Sequence, residues 1–356
     1  MSSDFVDNRT YATVVYSDHS LQYTLSVIVN IIATPIHLTC LYIILTQSKR
    51  ETLVFKVGLL CQQFFFFISM IIWGGLAGVV FTHPFPAMYC VGILKNYVDC
   101  LPLFLIWMVS FEAYFFGYLM INLIRLKVMC RPGKTFDFKN RTYYLIIVFM
   151  MIYCFVPMNC VVLSDYATHD EMRDFVAKYY PNNMKIFENP GVYVQIHPMI
   201  QKVFLEAMLC YICSGLPIVI FFNSAIYYEI SKRSLEGSKT FVARKALLNQ
   251  LARQSIGLSV FIFISCLLML STVLNPPEVD SRLQKTIGSV LFCGSCIPAQ
   301  LFLICTNSAY RNYVLKKVRR QSVFPQEDRG AKSVHRTSIK STTDVDHRDR
   351  ANSLNN

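Results

Sequence analysis

Residues 102–127 read PLFLIWMVSFEAYFFGYLMINLIRLK. The stretch is apolar for roughly twenty residues, the length at which a helix crosses a hydrocarbon core about 30 Å thick, yet Glu112 sits near its middle. Taking an ionised carboxylate out of water is costly, so a chain that keeps one there gives it a partner or a purpose. Runs of the same kind occur on either side, at roughly 21–46, 57–81, 143–163, 203–228, 255–275 and 286–308, with the quoted one spanning 97–124. In lipid each must be helical, because a helix satisfies its own backbone groups. The composition agrees: 54% of residues are hydrophobic and 16% charged, where a soluble domain carries about a quarter charged. The sequence therefore predicts an all-α membrane protein, a seven-transmembrane helix bundle over 21–308.

Residues 1–20 are polar and the first apolar run is too long for the core of a cleaved leader, so the first span is expected to direct insertion itself. Loop charge chooses the orientation. Alternate loops hold twenty-six Lys and Arg on one side and eight on the other, which places the N-terminus outside and the C-terminus in the cytoplasm. Residues 1–20 become an extracellular tail, 309–324 a basic amphipathic juxtamembrane helix, and 325–356, rich in Ser, Thr, Asp and Arg, a disordered cytoplasmic tail. The net charge of +12 is thereby explained by topology and lipid contact, with no nucleic-acid module beside it. Asn8-Arg9-Thr10 is a candidate glycosylation acceptor in the outer tail.

Thirteen cysteines invite a metal or disulfide reading. Most lie within apolar spans, where Cys behaves as a small hydrophobe. The pairs Cys210/Cys213 and Cys293/Cys296 would need their two helices side by side to hold zinc, and successive helices in a ring do not offer that. No metal and no cofactor are expected. Cys90, Cys100 and Cys160 are the outer-side disulfide candidates, with a bridge from Cys90 or Cys100 to Cys160 as one arrangement. No GxSxG, P-loop, HExxH or dinucleotide fingerprint is present, so the sequence does not read as an enzyme.

TPIHLTCLYIILTQSK (34–49), HPFPAMYCVGIL (83–94) and NSAYRNYV (307–314) narrow the reading. The first resembles the Pro-Ile-His stretch and basic turn of nematode serpentine chemoreceptors of the class h and i type. The second is similar to their proline-bounded first outer loop, and the third stands where they end the last helix with Pro-Tyr-Arg. The resemblance covers about 21–315. It implies a G-protein-coupled chemosensory receptor in the plasma membrane of a sensory cell, with a small-molecule ligand, a heterotrimeric G protein and membrane lipids as partners. The chain departs from the pattern in two places. The third span ends in INLIR, without an acidic-Arg-aromatic triplet or a Glu-Asn-Arg ending, and the seventh has Pro298 but no Asn-Pro-x-x-Tyr. Rhodopsin-type activation details are therefore not carried over.

Glu112 lies 13 residues before Arg125, about 20 Å above the cytoplasmic boundary and in the outer half of the bilayer. Trp107, Phe111 and Phe115 surround it along the same helix, and Asp99 and Glu206 are further polar residues near outer span ends. These six form the candidate ligand site; the competing reading makes Glu112 a structural hydrogen-bonding partner. Loops 125–141 and 229–254 carry six basic residues each. From them Arg125, Lys127, Arg131, Arg244 and Lys245 are the candidate G-protein contacts, with Arg125 either a switch or a topology charge. Ser322, after two arginines, is a candidate phosphorylation site whose phosphate would oppose leaflet binding. Pro35, Pro102, Pro157, Pro217 and Pro298 are expected to interrupt spans. The rival class is a multi-pass transporter or ligand-gated channel. A transporter would show paired broken helices in internal repeats, and a channel a polar pore-lining face.

Overall fold

A computed structural model describes residues 19–47, 53–82, 87–129, 138–232, 260–271, 282–306 and 308–322. Helices α1 (Ser20–Gln47), α2 (Leu53–Ile71), α3 (Cys100–Met129), α4 (Asn140–Ser164) and α6 (Pro198–Lys232) follow five of the expected spans. The sixth appears as α7, Val260–Ser271, and the rest of that run lies outside the described residues. The seventh is a pair, α8 (Arg282–Gly294) and α9 (Cys296–Thr306). Six described stretches are long and apolar enough to cross a bilayer, and with α7 they make the seven-helix bundle. α3 sits at its centre, packing on α2, α4 and α6, while α1 packs on α2, α8 and α9.

The second span ends sooner than hydropathy indicates. α2 passes into a π-helical turn, Ile72–Ala77, and stops at Gly78, whose φ of 56° is left-handed. The apolar residues beyond it form strand β1 (Val79–Thr82), antiparallel to β2 (Ala87–Cys90) with Val80 opposite Tyr89. A short β3 (Tyr193–Val194) adds to β2. A buried strand and a buried helix are equally apolar, so hydropathy alone cannot separate them. The long segment between the fourth and fifth spans is also folded. α5 (His169–Tyr179) begins with a capping box between Thr168 and Glu171, buries Met172 and Val176 one turn apart, and leads into a 3₁₀ turn, Pro181–Glu188.

The prolines act differently from one another. Pro35, Pro157 and Pro217 lie inside α1, α4 and α6. Pro102, two residues into α3, interrupts nothing, because a first-turn N–H has no intrahelical acceptor to lose. Pro298 breaks the last span just upstream of itself. It has no N–H to give the Gly294 carbonyl, and α8 ends at that residue.

Apolar burial gives little drive to association inside lipid, so close packing and interhelical hydrogen bonds hold such a bundle, each bond typically worth about 0.6 kcal/mol and up to about 1.7. Ser26 and Ser289 hydroxyls meet at 3.0 Å, and Trp73 Nε1 donates to the same Ser289 at 3.1 Å. Asn30 Nδ2 donates to the Met70 carbonyl at 3.0 Å. Gln300 bonds His37 and donates to Gln63 Oε1 at 3.2 Å. A Cβ on Gly74 would stand 2.5 Å from Asn30 Nδ2, so glycine is what allows α1 so close to the end of the second span. Helix α10 (Ser308–Ser322) covers the basic stretch after the last span.

Candidate functional site

Four aromatic residues recur on one face of α3 at helical spacing: Phe111, Tyr114, Phe115 and Tyr118. They face Tyr211, Gly215 and Val219, each four apart on α6, and Ile262, Phe263 and Cys266 on α7. Together these ten residues line a cavity of about 80 Å³. A single water needs about 10–15 Å³ on the same measure, so there is room for a small organic molecule. No lining side chain carries a formal charge; tyrosine hydroxyls and one thiol supply the polarity. Gly215 matters because it has no side chain. A Cβ there would sit 3.6 Å from Phe115 Cζ, an ordinary contact, and anything longer would extend into the cavity.

Of the six candidate ligand residues, Phe111 and Phe115 lie in this wall. Glu112 does not. It is 2% exposed and receives a 2.6 Å hydrogen bond from Asn159 Nδ2 on α4, beside Cys154 and the cavity residue Tyr211. Asn159 also donates to the Phe155 carbonyl at 2.8 Å, while Glu112 Oε1 is buried without a hydrogen-bond partner among the described residues. Trp107 belongs to an aromatic cluster toward the sheet, 4.5 Å from Trp73 and 5.9 Å from Phe292 between ring centres. Asp99 is exposed just before α3, and Glu206 is exposed in the third turn of α6.

Next to the sheet, Asp165 is buried. Its carbonyl and Oδ2 accept from the Tyr193 hydroxyl, and its Oδ1 accepts the His197 N–H at 3.3 Å. Burial pushes the Asp165 carboxyl above its ordinary range, with the His197 N–H pulling the other way. Glu171, on the surface, is held below the usual carboxylate range by the Thr168 backbone N–H.

At the far end of α3, Arg125 is partly buried and Lys127 is exposed. Lys127 Nζ donates to Asn140 Oδ1 at 3.3 Å and lies 4.0 Å over the Tyr143 ring. Arg131, Arg244, Lys245 and Asn8 lie outside the described residues, and Ser322 is the last residue of α10. Sequence reading missed Tyr114, Tyr118, Tyr211, Gly215, Val219, Ile262, Phe263 and Cys266. The spacing of Tyr114 and Tyr118 with Phe111 and Phe115 was a usable signal; the fifth and sixth spans, apolar nearly all round, offered none. Asn159, an amide inside the fourth span, was also visible as a partner for Glu112.

A family model described as serpentine type 7TM GPCR chemoreceptor Srh matches residues 17–320, and no curated protein matches the chain. That match runs from the start of α1 into α10 and includes all seven spans, the cavity residues and the three strands; the chain belongs to the Srh family of serpentine seven-transmembrane chemoreceptors.

Proposed function

We propose that this receptor takes a small, uncharged and largely apolar molecule into the cavity between α3, α6 and α7, and signals to a heterotrimeric G protein from the opposite end of α3. The observation that carries the reading is the cavity wall: aromatic rings and hydroxyls from three helices and no formal charge. A charged ligand would lose its hydration there without a counter-ion, whereas an apolar or weakly hydrogen-bonding one would not. Glu112, joined to Asn159, acts mainly as a structural partner at the back of the site. The signalling end is the one to which the sequence assigns the basic loops, with Arg125 and Lys127 in the final turns of α3. The membrane is the plasma membrane of a sensory cell, with the sheet on its outer side.

The test is a G-protein reporter in cells expressing the chain, challenged with a panel of small volatile and soluble molecules. Gly215→Ala is expected to respond much as the parent does. Gly215→Leu, which fills the cavity, is expected to lose at least about tenfold in potency, or about 1.4 kcal/mol, at an unchanged surface level. Equal potency for parent and Gly215→Leu would move the ligand elsewhere. Arg125→Ala should abolish or deregulate the response without lowering surface level, and a normal response would leave Arg125 as a topology charge only.

A further inference from the structure

Cys90 ends β2 and Cys100 begins α3. Both are buried, at 2% and 0% exposure, and their Sγ atoms stand 2.7 Å apart. Non-bonded carbon atoms rest about 3.5–4.0 Å apart and sulfur is larger, so this is closer than two side chains merely packed together. The surrounding backbone holds them there. Gly92 N–H donates to the Ala77 carbonyl at 2.8 Å, Leu94 N–H to the Leu76 carbonyl at 3.0 Å, and Cys100 N–H to the Gly191 carbonyl at 2.9 Å. Cys160, the alternative partner, is exposed on α4.

We infer that Cys90 and Cys100 form a disulfide that ties the hairpin to the first turn of α3. The inference rests on the proposed orientation, which puts the sheet in the oxidising lumen during biosynthesis and outside the cell afterwards. The chemistry is thiol–disulfide exchange with a disulfide-carrying oxidoreductase of the secretory pathway. The thiolate of one cysteine attacks the carrier's disulfide and expels one carrier thiolate, giving a mixed disulfide. The second cysteine, deprotonated, then attacks its neighbour's sulfur and expels the other. Two thiols lose two electrons and two protons, and the carrier leaves as a dithiol. The bond closes a short loop, 91–99, and fixes β2 against α3 where β3 and Gly191 also join it. Its buried position protects it from external reductants.

Lys95 is the sole trypsin site between the two cysteines, which makes the bond directly readable. Full-length protein recovered from the cell surface is denatured without reductant, alkylated and digested. The expected product is residues 57–95 joined to 96–125 through Cys90 and Cys100, separating on reduction, with fragmentation distinguishing Cys90 from Cys61. In Cys90→Ser, Cys100 should become alkylatable without reduction, and Cys90 likewise in Cys100→Ser. Because labelling is done on denatured protein, a partly misfolded variant still reports. Both cysteines alkylated in the parent, or either one joined to Cys160, would overturn the inference. An N-terminal tag reachable on the same intact cells shows that such a failure belongs to the disulfide and not to the orientation.

Discussion

Glu112 and Asn159 show why a polar residue inside a membrane span need not be a ligand contact. Asn159 Nδ2 is the donor that compensates the buried carboxyl. Asn159→Ala removes it and leaves Glu112 unsatisfied, at a typical cost of about 1–3 kcal/mol. Glu112→Gln keeps an acceptor for Asn159 and should cost less. Flow cytometry on a surface tag is expected to rank the parent and Glu112→Gln above Asn159→Ala, with potency unchanged on receptors that arrive; an undiminished Asn159→Ala would remove the structural role. Asp165 presents a different case, because it lies outside the spans and its carboxyl is raised by burial. A raised acid binds its proton more readily folded than unfolded. The cost of ionising it is therefore absent below the ordinary value of 3.8, grows as pH climbs through the window up to the raised value, and is full above that. Asp165→Asn should flatten the dependence of the detergent-solubilised melting temperature on pH above the ordinary value of 3.8 and equal or exceed the parent once the parent's carboxyl is ionised. A lower melting temperature at every pH would show that the ionised form is needed.

At the scale of elements, hydropathy located the spans because lipid demands some twenty apolar residues in a row, a signal that few other structures produce. It failed at the end of the second span for the opposite reason. Val79, Val80 and Phe81 are apolar to fill the core under the sheet, and nothing in their hydropathy says that Gly78 has already turned the chain. The glycine makes a prediction of its own. A Cβ there would meet Tyr23 Cδ2 at 2.9 Å and Val91 Cγ2 at 3.0 Å, in a backbone conformation that costs other residues about 1–2 kcal/mol. Gly78→Val is expected to lower thermal stability and surface level, whereas Gly75→Ala, next to open space apart from Asn30 Nδ2 at 3.9 Å, should change them little. Similar losses from the two would mean that the turn tolerates a side chain. The α8–α9 break was half legible. Pro298 announced an interruption, but its place is set by the carbonyl four residues upstream.

For the whole molecule, loop charge predicts that a tag ahead of Met1 is reached by antibody on intact cells and one after Asn356 only after permeabilisation. The reverse pattern would place the sheet in the cytoplasm and remove the receptor reading. The family was legible in short motifs near the ends of the spans, but most of the site was not. A cavity walled by three helices depends on which face each turns inward, and Tyr211, Gly215 and Cys266 sit in spans whose hydropathy favours no face. Phe111 and Phe115 were found because they flank Glu112. The polar contacts that join α1 to α2, α8 and α9, through Ser26, Asn30, His37, Gln63, Ser289 and Gln300, share no residue with the cavity wall. Those hydrogen bonds and the wall therefore answer to different substitutions. Under the proposed function, exchanges among aromatic, aliphatic and small residues at the ten wall positions change what fits while leaving the α1 hydrogen bonds in place, so a new ligand preference need not cost the receptor that set of contacts.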